Sequence, residues 1–529
     1  MKIRNILKLL AVAGTLALPT SCADWLDVKM SDKIMENTLF STNNGFVTAL
    51  NGVYMGMVDV YGEDLSMGII DAQAQYYYIG SGKHSMKEYA RFMYGEDKFK
   101  NSSNMIWTKM YALIANINAL LEHCDEEGSA LKSNYYPIVK GEALALRAML
   151  HFDLLRLYGP SYNESTKSTI TIPYQNEAKR DITPLLSAER VLGLVIGDLE
   201  EAAELLKDSD PVFTTGVGNA VTSDDGLERA DFTYRQLRLN YFAVQTLLAR
   251  AYLWKGDKST AYRIATEEII KKNQKDEETM IFPWTTEKQV TAEGKNDLLF
   301  SSEVFFAVFH SDRTRSYNRY FSQALGMDSR LTFIGSNQAN SQIPVFYDDP
   351  NNDWRAVLGW DVATKMDTGD DEGGDEGGDE GGDDDDKIDE SSTLYSLKYA
   401  DPDRKAELDG TETYLHMVPL IRLSEAYLIA AECAQDVDEA LGYLVAIREH
   451  RNCHMPISET SMDGVQELVI KEFAREMIGE GQLFFYYKRL NMEKFLDGSI
   501  IGGEYEMFPG NYVWPLPDVE ITKRGSTNN

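Results

Sequence analysis

Ala251-Tyr252-Leu253-Trp254-Lys255-Gly256-Asp257, followed four residues later by Ala261, is the stretch that decides the fold. It ends an apolar stripe at Leu237, Tyr241, Val244, Leu248 and Ala251, whose steps of three and four residues mark one face of a helix. Lys255-Gly256-Asp257 turns the chain. A second stripe begins at once with Ala261, Ile264, Ala265 and Ile269. Two helices joined so tightly form a hairpin, and the small residues let the backbones approach while Trp254 wedges between them. The pattern recurs over residues 422–451, with Tyr427, Ala431, Ala440 and Tyr443 in comparable places and a turn at Gln435-Asp436-Val437-Asp438.

These hairpins resemble tetratricopeptide (TPR) units, and further helices surround them. Ile106, Met110, Leu113, Ile114, Ile117 and Leu121 align in a helix over about 104–123. Another spans about 135–158, with Leu144, Ala148, Phe152 and Leu155 aligned and Gly159-Pro160 as its stop. A third covers about 187–207; Ser187 caps it without a capping box, and Glu200, Glu201 and Glu204 form its solvated face. Between the hairpins, residues 303–309 and 394–399 are short aromatic or β-branched runs that read as strands. Residues 275–415 alternate such runs with loops, where ligand-facing structure is expected. The Asp/Glu/Gly segment 367–386 reads as a disordered, solvated insert, and it lacks the spaced ligands of a calcium loop.

The first residues set the location. Lys2, Arg4 and Lys8 precede an apolar run at 9–18 and then Pro19-Thr20-Ser21-Cys22. That is an export leader over 1–21, with a core too short to span a bilayer. Its end resembles a bacterial lipobox, which makes Cys22 the lipidated first residue of the mature chain. Each buried acyl methylene would add about 0.8 kcal/mol of anchoring. No later run approaches the roughly 18 apolar residues of a spanning helix. With 52 Lys plus Arg against 84 Asp plus Glu, the surface repels phosphate backbones, so nucleic acid is not expected as a partner. Cys124, Cys433 and Cys453 make no CxxC pair and read as buried small hydrophobes at helix positions.

The order of these pieces resembles the SusD/RagB family of outer-membrane lipoproteins. Asp24-Trp25-Leu26-Asp27 follows the lipobox cysteine; the run from Trp107 through Asn116-Ile117-Asn118 is similar to an early family helix. Gly141-Glu142-Ala143-Leu144-Ala145-Leu146-Arg147-Ala148, continuing to Leu157-Tyr158-Gly159, is the most recognisable run. Ile421-Arg422-Leu423-Ser424-Glu425-Ala426-Tyr427, Ile447-Arg448 and a Pro-rich closing strand, Val513-Trp514-Pro515-Leu516-Pro517, complete it. The resemblance covers nearly the whole mature chain. Ala474-Arg475-Glu476-Met477 and Gly481-Gln482 depart from the usual family pattern.

The resemblance implies a mostly α, SusD-like fold: a TPR-like scaffold with short strands and long irregular loops forming the ligand face. It divides the mature chain into an N-terminal region, 22–300, and a C-terminal region, 301–529. It also implies a non-catalytic protein, without cofactor, that captures glycans or oligosaccharides for a SusC-like TonB-dependent transporter. The location implied is the outer membrane, lipid-anchored and facing outward.

The residues agree in part. No HExxH, GxSxG or Walker A run is present, and His450, Cys453 and His454 form at most a weak metal-like cluster. Sugar binding needs aromatic faces beside hydrogen-bonding groups. Tyr76, Tyr77 and Tyr78, with Gln73, Gln75 and His84, come first, since three consecutive tyrosines cannot all point inward. Trp284, Tyr317, Tyr320, Trp354 and Trp360 come second, with Arg313, Arg315 and Arg319 as polar companions. Trp107, Trp254 and Trp514 read as structural. Two other classes stay open: an anchored TPR scaffold for protein partners, and a surface glycan hydrolase.

Overall fold

A computed structural model of the chain describes residues 36–80, 82–179, 181–217, 232–335, 341–363, 393–402 and 413–525. The leader, Cys22, Trp25 and the acidic insert 367–386 lie outside them. Ten helices build the frame: α1 (Asn43–Gly56), α2 (Asp97–Cys124), α3 (Tyr136–Tyr158), α4 (Ala188–Leu206), α5 (Tyr241–Lys255), α6 (Lys258–Arg263), α7 (Leu423–Cys433), α8 (Val437–Glu449), α9 (Met462–Glu476) and α10 (Leu483–Leu490). Among the described residues no helix is long and apolar enough to cross a membrane.

The expected hairpins form. Gly256 ends α5 at φ +88°, in the left-handed region where a Cβ would be strained, and Asp257 caps α6 by accepting from Thr260 N. Past Arg263 the helix widens into a π-helical turn, Ile264–Ile270, while Ala261, Ile264, Ala265 and Ile269 stay buried as their spacing requires. The α7/α8 hairpin turns at Asp436, whose side chain accepts from Glu439 N. Leu237 falls in a short 3-10 turn ahead of α5, whose cap is Asn240.

Two helices differ from a one-striped reading. Every residue of α3 from Gly141 to Tyr158 is buried, because α2, α4, α5 and the strand Ile170–Pro173 cover it on several sides. At Gly141 a Cβ would lie 2.9 Å from the Leu206 side chain, so glycine there lets α4 press close. α2 begins at Asp97, about two and a half turns before Ile106, where the apolar stripe starts. Ser187 does cap α4, accepting from Arg190 N at 3.3 Å, and Glu200, Glu201 and Glu204 are exposed.

Short antiparallel sheets lie against this frame. β1 (Ile170–Pro173) pairs with β2 (Leu185–Ser187), and β3 (Val304–Phe309) with β7 (Met417–Arg422), which runs straight into α7. β4 (Thr332–Ile334), β6 (Thr393–Ser396) and β5 (Trp360–Val362) make a three-stranded sheet in the order β4-β6-β5. β8 (Lys494–Leu496) and β9 (Glu504–Glu506) form a hairpin. The closing Pro-rich segment is extended but joins no sheet; Trp514 N instead donates to Leu157 O at the end of α3.

One apolar core runs from Phe46 to Trp514, and buried ion pairs stitch its parts together. The carboxylate of Glu142 accepts from Arg235, Arg238 and Tyr54. Arg147 holds Asp198 with two bonds of 2.7 and 2.8 Å, and Arg250 holds Glu425. The quoted family runs are therefore where charges are buried and paired. Cys124, Cys433 and Cys453 are free and buried; Cys453 follows α8 rather than lying in it.

Candidate ligand-binding face

Beyond the helix Ile69–Gln73 the chain turns at Gln75, which adopts φ +59°, and threads between two neighbours. On one side Tyr78 N donates to Thr332 O of β4 at 2.7 Å. On the other, Gly498 N donates to Gln75 O at 2.9 Å and Ile79 N to Ser499 Oγ at 3.3 Å. A Cβ at Gly498 would lie 2.4 Å from Tyr76 O, so only glycine allows this approach.

Covered on both sides, the segment buries two of its three tyrosines. Tyr76 is 3 % exposed and donates to Ala474 O; Tyr77 is 1 % exposed and donates to Asp71. Neither offers a ring face to a ligand, which corrects their first-rank placement. Gln73 and His84 are corrected likewise. Gln73 is fully buried, accepting from Trp514 Nε1 at 3.1 Å, and His84 is bonded to Arg330 O and Met86 N. Tyr78 alone of the three is half-exposed, as three neighbouring tyrosines require.

The second tier divides in the same way. Tyr317 and Tyr320 are buried, the former donating to Ser396 O, and they pack through Phe321 onto Tyr77. Arg313 is buried against Tyr414 O and Met417 O, whereas Arg315 and Arg319 are exposed and Arg319 pairs with Glu63. Trp360 is half-exposed. Its ring stacks on Phe333 at 3.9 Å and its Nε1 donates to Tyr347 at 3.3 Å. Phe333 in turn meets Tyr77 and Phe346, and Phe346 meets Tyr76. Residues more than 280 positions apart thus converge in one aromatic cluster, with Tyr78 at its covering segment and Trp360 at its rim.

Trp284 and Trp354 are half-exposed but stand apart from that cluster. Trp284 stacks on His450 at 4.5 Å, and Trp354 N donates to Arg451 O. The His450 ring is also bonded through Nδ1 to Ala446 O, Cys453 is buried and His454 is exposed. Among the described residues no group of three or more His, Cys, Asp or Glu side chains is placed to hold a metal ion.

Polar groups at the rim were not singled out from sequence. Asp361, exposed beside Trp360, accepts from Tyr395 at 3.1 Å; burial and this carboxylate push the Tyr395 phenol up to about 12. The signal available was the Trp-Asp-Val alternation of β5. A serine, a histidine and a carboxylate do meet: His310 Nε2 lies 2.7 Å from Ser316 Oγ, which donates to Glu63 at 2.7 Å. The order is wrong for nucleophilic catalysis, where the acid orients the histidine and the hydroxyl faces substrate. Here the carboxylate takes the hydroxyl proton, and Ser316 is 1 % exposed.

A stack of helical hairpins with a few short strands laid against it is a mostly α, SusD-like fold. Residues 24–215 match a family described as starch-binding associating with outer membrane, and residues 233–525 match the SusD family. The chain belongs to the SusD family. It is 23 % identical to SusD-like protein P38 of Formosa agariphila, covering 97 % of this chain and 96 % of that one. A SusD superfamily protein of Bacteroides thetaiotaomicron superposes with a TM-score of 0.67 at 19 % identity, over 91 % of this chain and 98 % of that one. A SusD-like carbohydrate-binding protein of Bacteroides vulgatus gives 0.62 at 16 %, over 91 % and 96 %.

Proposed function

We propose that the protein binds glycans at the outer membrane, without cleaving them, and delivers them to a SusC-like TonB-dependent transporter. Cys22 would carry the lipid anchor and place the body on the outer face. The observation that carries the reading is the pair of half-exposed rings, Tyr78 and Trp360, backed by a buried aromatic cluster in a chain of this family. A sugar ring presents C–H faces that stack on phenol or indole, and carboxylates such as Asp361 accept from its hydroxyls.

The test is retention of the purified mature chain on a panel of immobilised polysaccharides, with Tyr78→Ala and Trp360→Ala beside it. Each substitution should weaken retention about fivefold or more, in line with roughly 1 kcal/mol per stacking contact, in protein that still unfolds cooperatively; Trp360→Ala also loses its stacking on Phe333 and lowers the unfolding midpoint. Wild-type protein that binds no glycan, or that releases new reducing ends, would defeat the reading. Co-purification of a transporter with the tagged protein, lost on Cys22→Ala, tests delivery and anchoring.

A further inference from the structure

We propose that His151 is a positioning residue: as a neutral imidazole it pins the strap of residues 174–177 against α3, and on taking up a proton it releases the strap. His151 sits in the all-buried stretch of α3, between Leu150 and Phe152, with Arg147 one turn before it, and it is 0 % exposed. The strap leaves the end of β1 at Tyr174.

Both ring nitrogens are committed to backbone groups. Nδ1 donates to Arg147 O at 2.9 Å, since a carbonyl only accepts, and Nε2 accepts from Gln175 N at 3.0 Å. That pair of bonds defines one tautomer of a neutral ring, with its proton on Nδ1. The ring also stacks on Tyr174 at 3.9 Å, and Tyr111 of α2 meets it edge-on at 6.0 Å. Two neighbours hold the rest of the strap. Asn118 Nδ2 donates to Gln175 O at 2.9 Å, and Arg147 Nη1 donates to Asn176 O at 3.4 Å. Asn176 and the residues up to Lys179 wall a cleft of about 510 Å³, whose other sides carry Glu122, Lys140, Arg147 and Glu201.

A protonated imidazole carries an N–H on both nitrogens. The new one, on Nε2, would point at the Gln175 N–H and turn a hydrogen bond into two opposed donors. The titratable and charged groups facing the ring are Tyr174 on the strap, Tyr111 on α2 and Arg147 on its own helix. The Arg147 guanidinium repels a second cation. Its counter-ion, Asp198 of α4, is bonded to it twice and also accepts from Tyr174. In agreement with these contacts, burial pushes the imidazole down to about 3; the bond to Arg147 O opposes the fall and the charge of Arg147 adds to it. With the strap lifted, water reaches the ring and returns it towards its ordinary 6.5. The open form therefore binds the proton more tightly. The hold is full above pH 6.5 and weakens as the pH falls from there towards 3.

Amide hydrogen exchange on the full mature chain, corrected for intrinsic rates, reads the strap at residues 174–179. Protection there, relative to α5, should fall by about fivefold or more between pH 7.5 and 5, a range that stays above the ordinary carboxylate values of about 4. His151→Phe keeps a ring against Tyr174 but can neither titrate nor accept from Gln175. Its strap should be less protected at pH 7.5 and show no further fall in acid. A flat wild-type profile overturns the proposal without recourse to the variant, and so does a fall of the same size in His151→Phe. Nitrogen NMR of the histidine rings gives a second reading: at pH 6 the His151 ring should be neutral with its proton on Nδ1 wherever the strap is closed. A ring that titrates near 6.5 while the strap keeps its protection defeats the proposal as well.

Discussion

Glu476 is fully buried and faces three guanidinium groups: Arg355 at 2.7 Å, Arg451 at 2.8 Å and Arg422 at 3.0 Å. Burial raises such a carboxyl, but Arg451, Arg422 and Arg355 outweigh it and hold Glu476 well below its ordinary range. Removing its charge leaves buried cations short of a partner, so Glu476→Gln should cost about 3–5 kcal/mol in urea unfolding. The sign with pH follows from linkage. A depressed carboxyl contributes its full stability above its unfolded value of 4.5, and this is lost as pH falls below it. The variant should accordingly show a shallower loss of Tm below pH 4.5 than wild type. At this scale the sequence was partly legible. That one of Tyr76, Tyr77 and Tyr78 must reach solvent followed from backbone geometry; that it is Tyr78 depended on Phe346, Phe321 and Phe333 packing on the other two.

Helix α5 shows how an element is set by its first residue. The Asn240 side chain accepts from Ala243 N at 3.1 Å and donates to Arg235 O and Phe305 O, so it caps the helix and ties it to β3. Asn240→Ala removes the cap and leaves buried carbonyls unpaired, and should cost about 2 kcal/mol, read as a lower denaturation midpoint at unchanged slope. The hairpins built on α5 and α7 were legible because apolar spacing, a left-handed glycine and aspartate caps are local signals. The π-helical turn at Ile264–Ile270 was not legible, since its apolar residues keep the same order in either helix type. Nor was the burial of α3 on all sides: its stripe was read correctly, but the packing of α4 and α5 on its other faces is a property of the assembly.

Over the whole molecule the formal charge is −32 at pH 7, from 52 basic and 84 acidic residues. Such a surface repels an anionic polymer and is indifferent to a neutral one. Retention of a neutral glycan should therefore change by less than about twofold between low salt and 0.5 M NaCl, whereas retention of a uronate or sulfated glycan should rise as salt screens the repulsion. Affinity electrophoresis across a salt series distinguishes the two, and a steep fall for neutral ligands would place the site on charged groups instead of rings.

The helical frame, its hairpins and the family were determined by the sequence alone, because periodicity, caps and turn residues act over a few positions and each leaves its mark in order along the chain. Tertiary structure alone decided which aromatic residues face outward. Tyr76, Tyr77, Tyr317 and Tyr320 are chemically the same as Tyr78, and whether a ring is covered depends on residues up to 398 positions away, such as Ala474, whose carbonyl takes the Tyr76 hydroxyl.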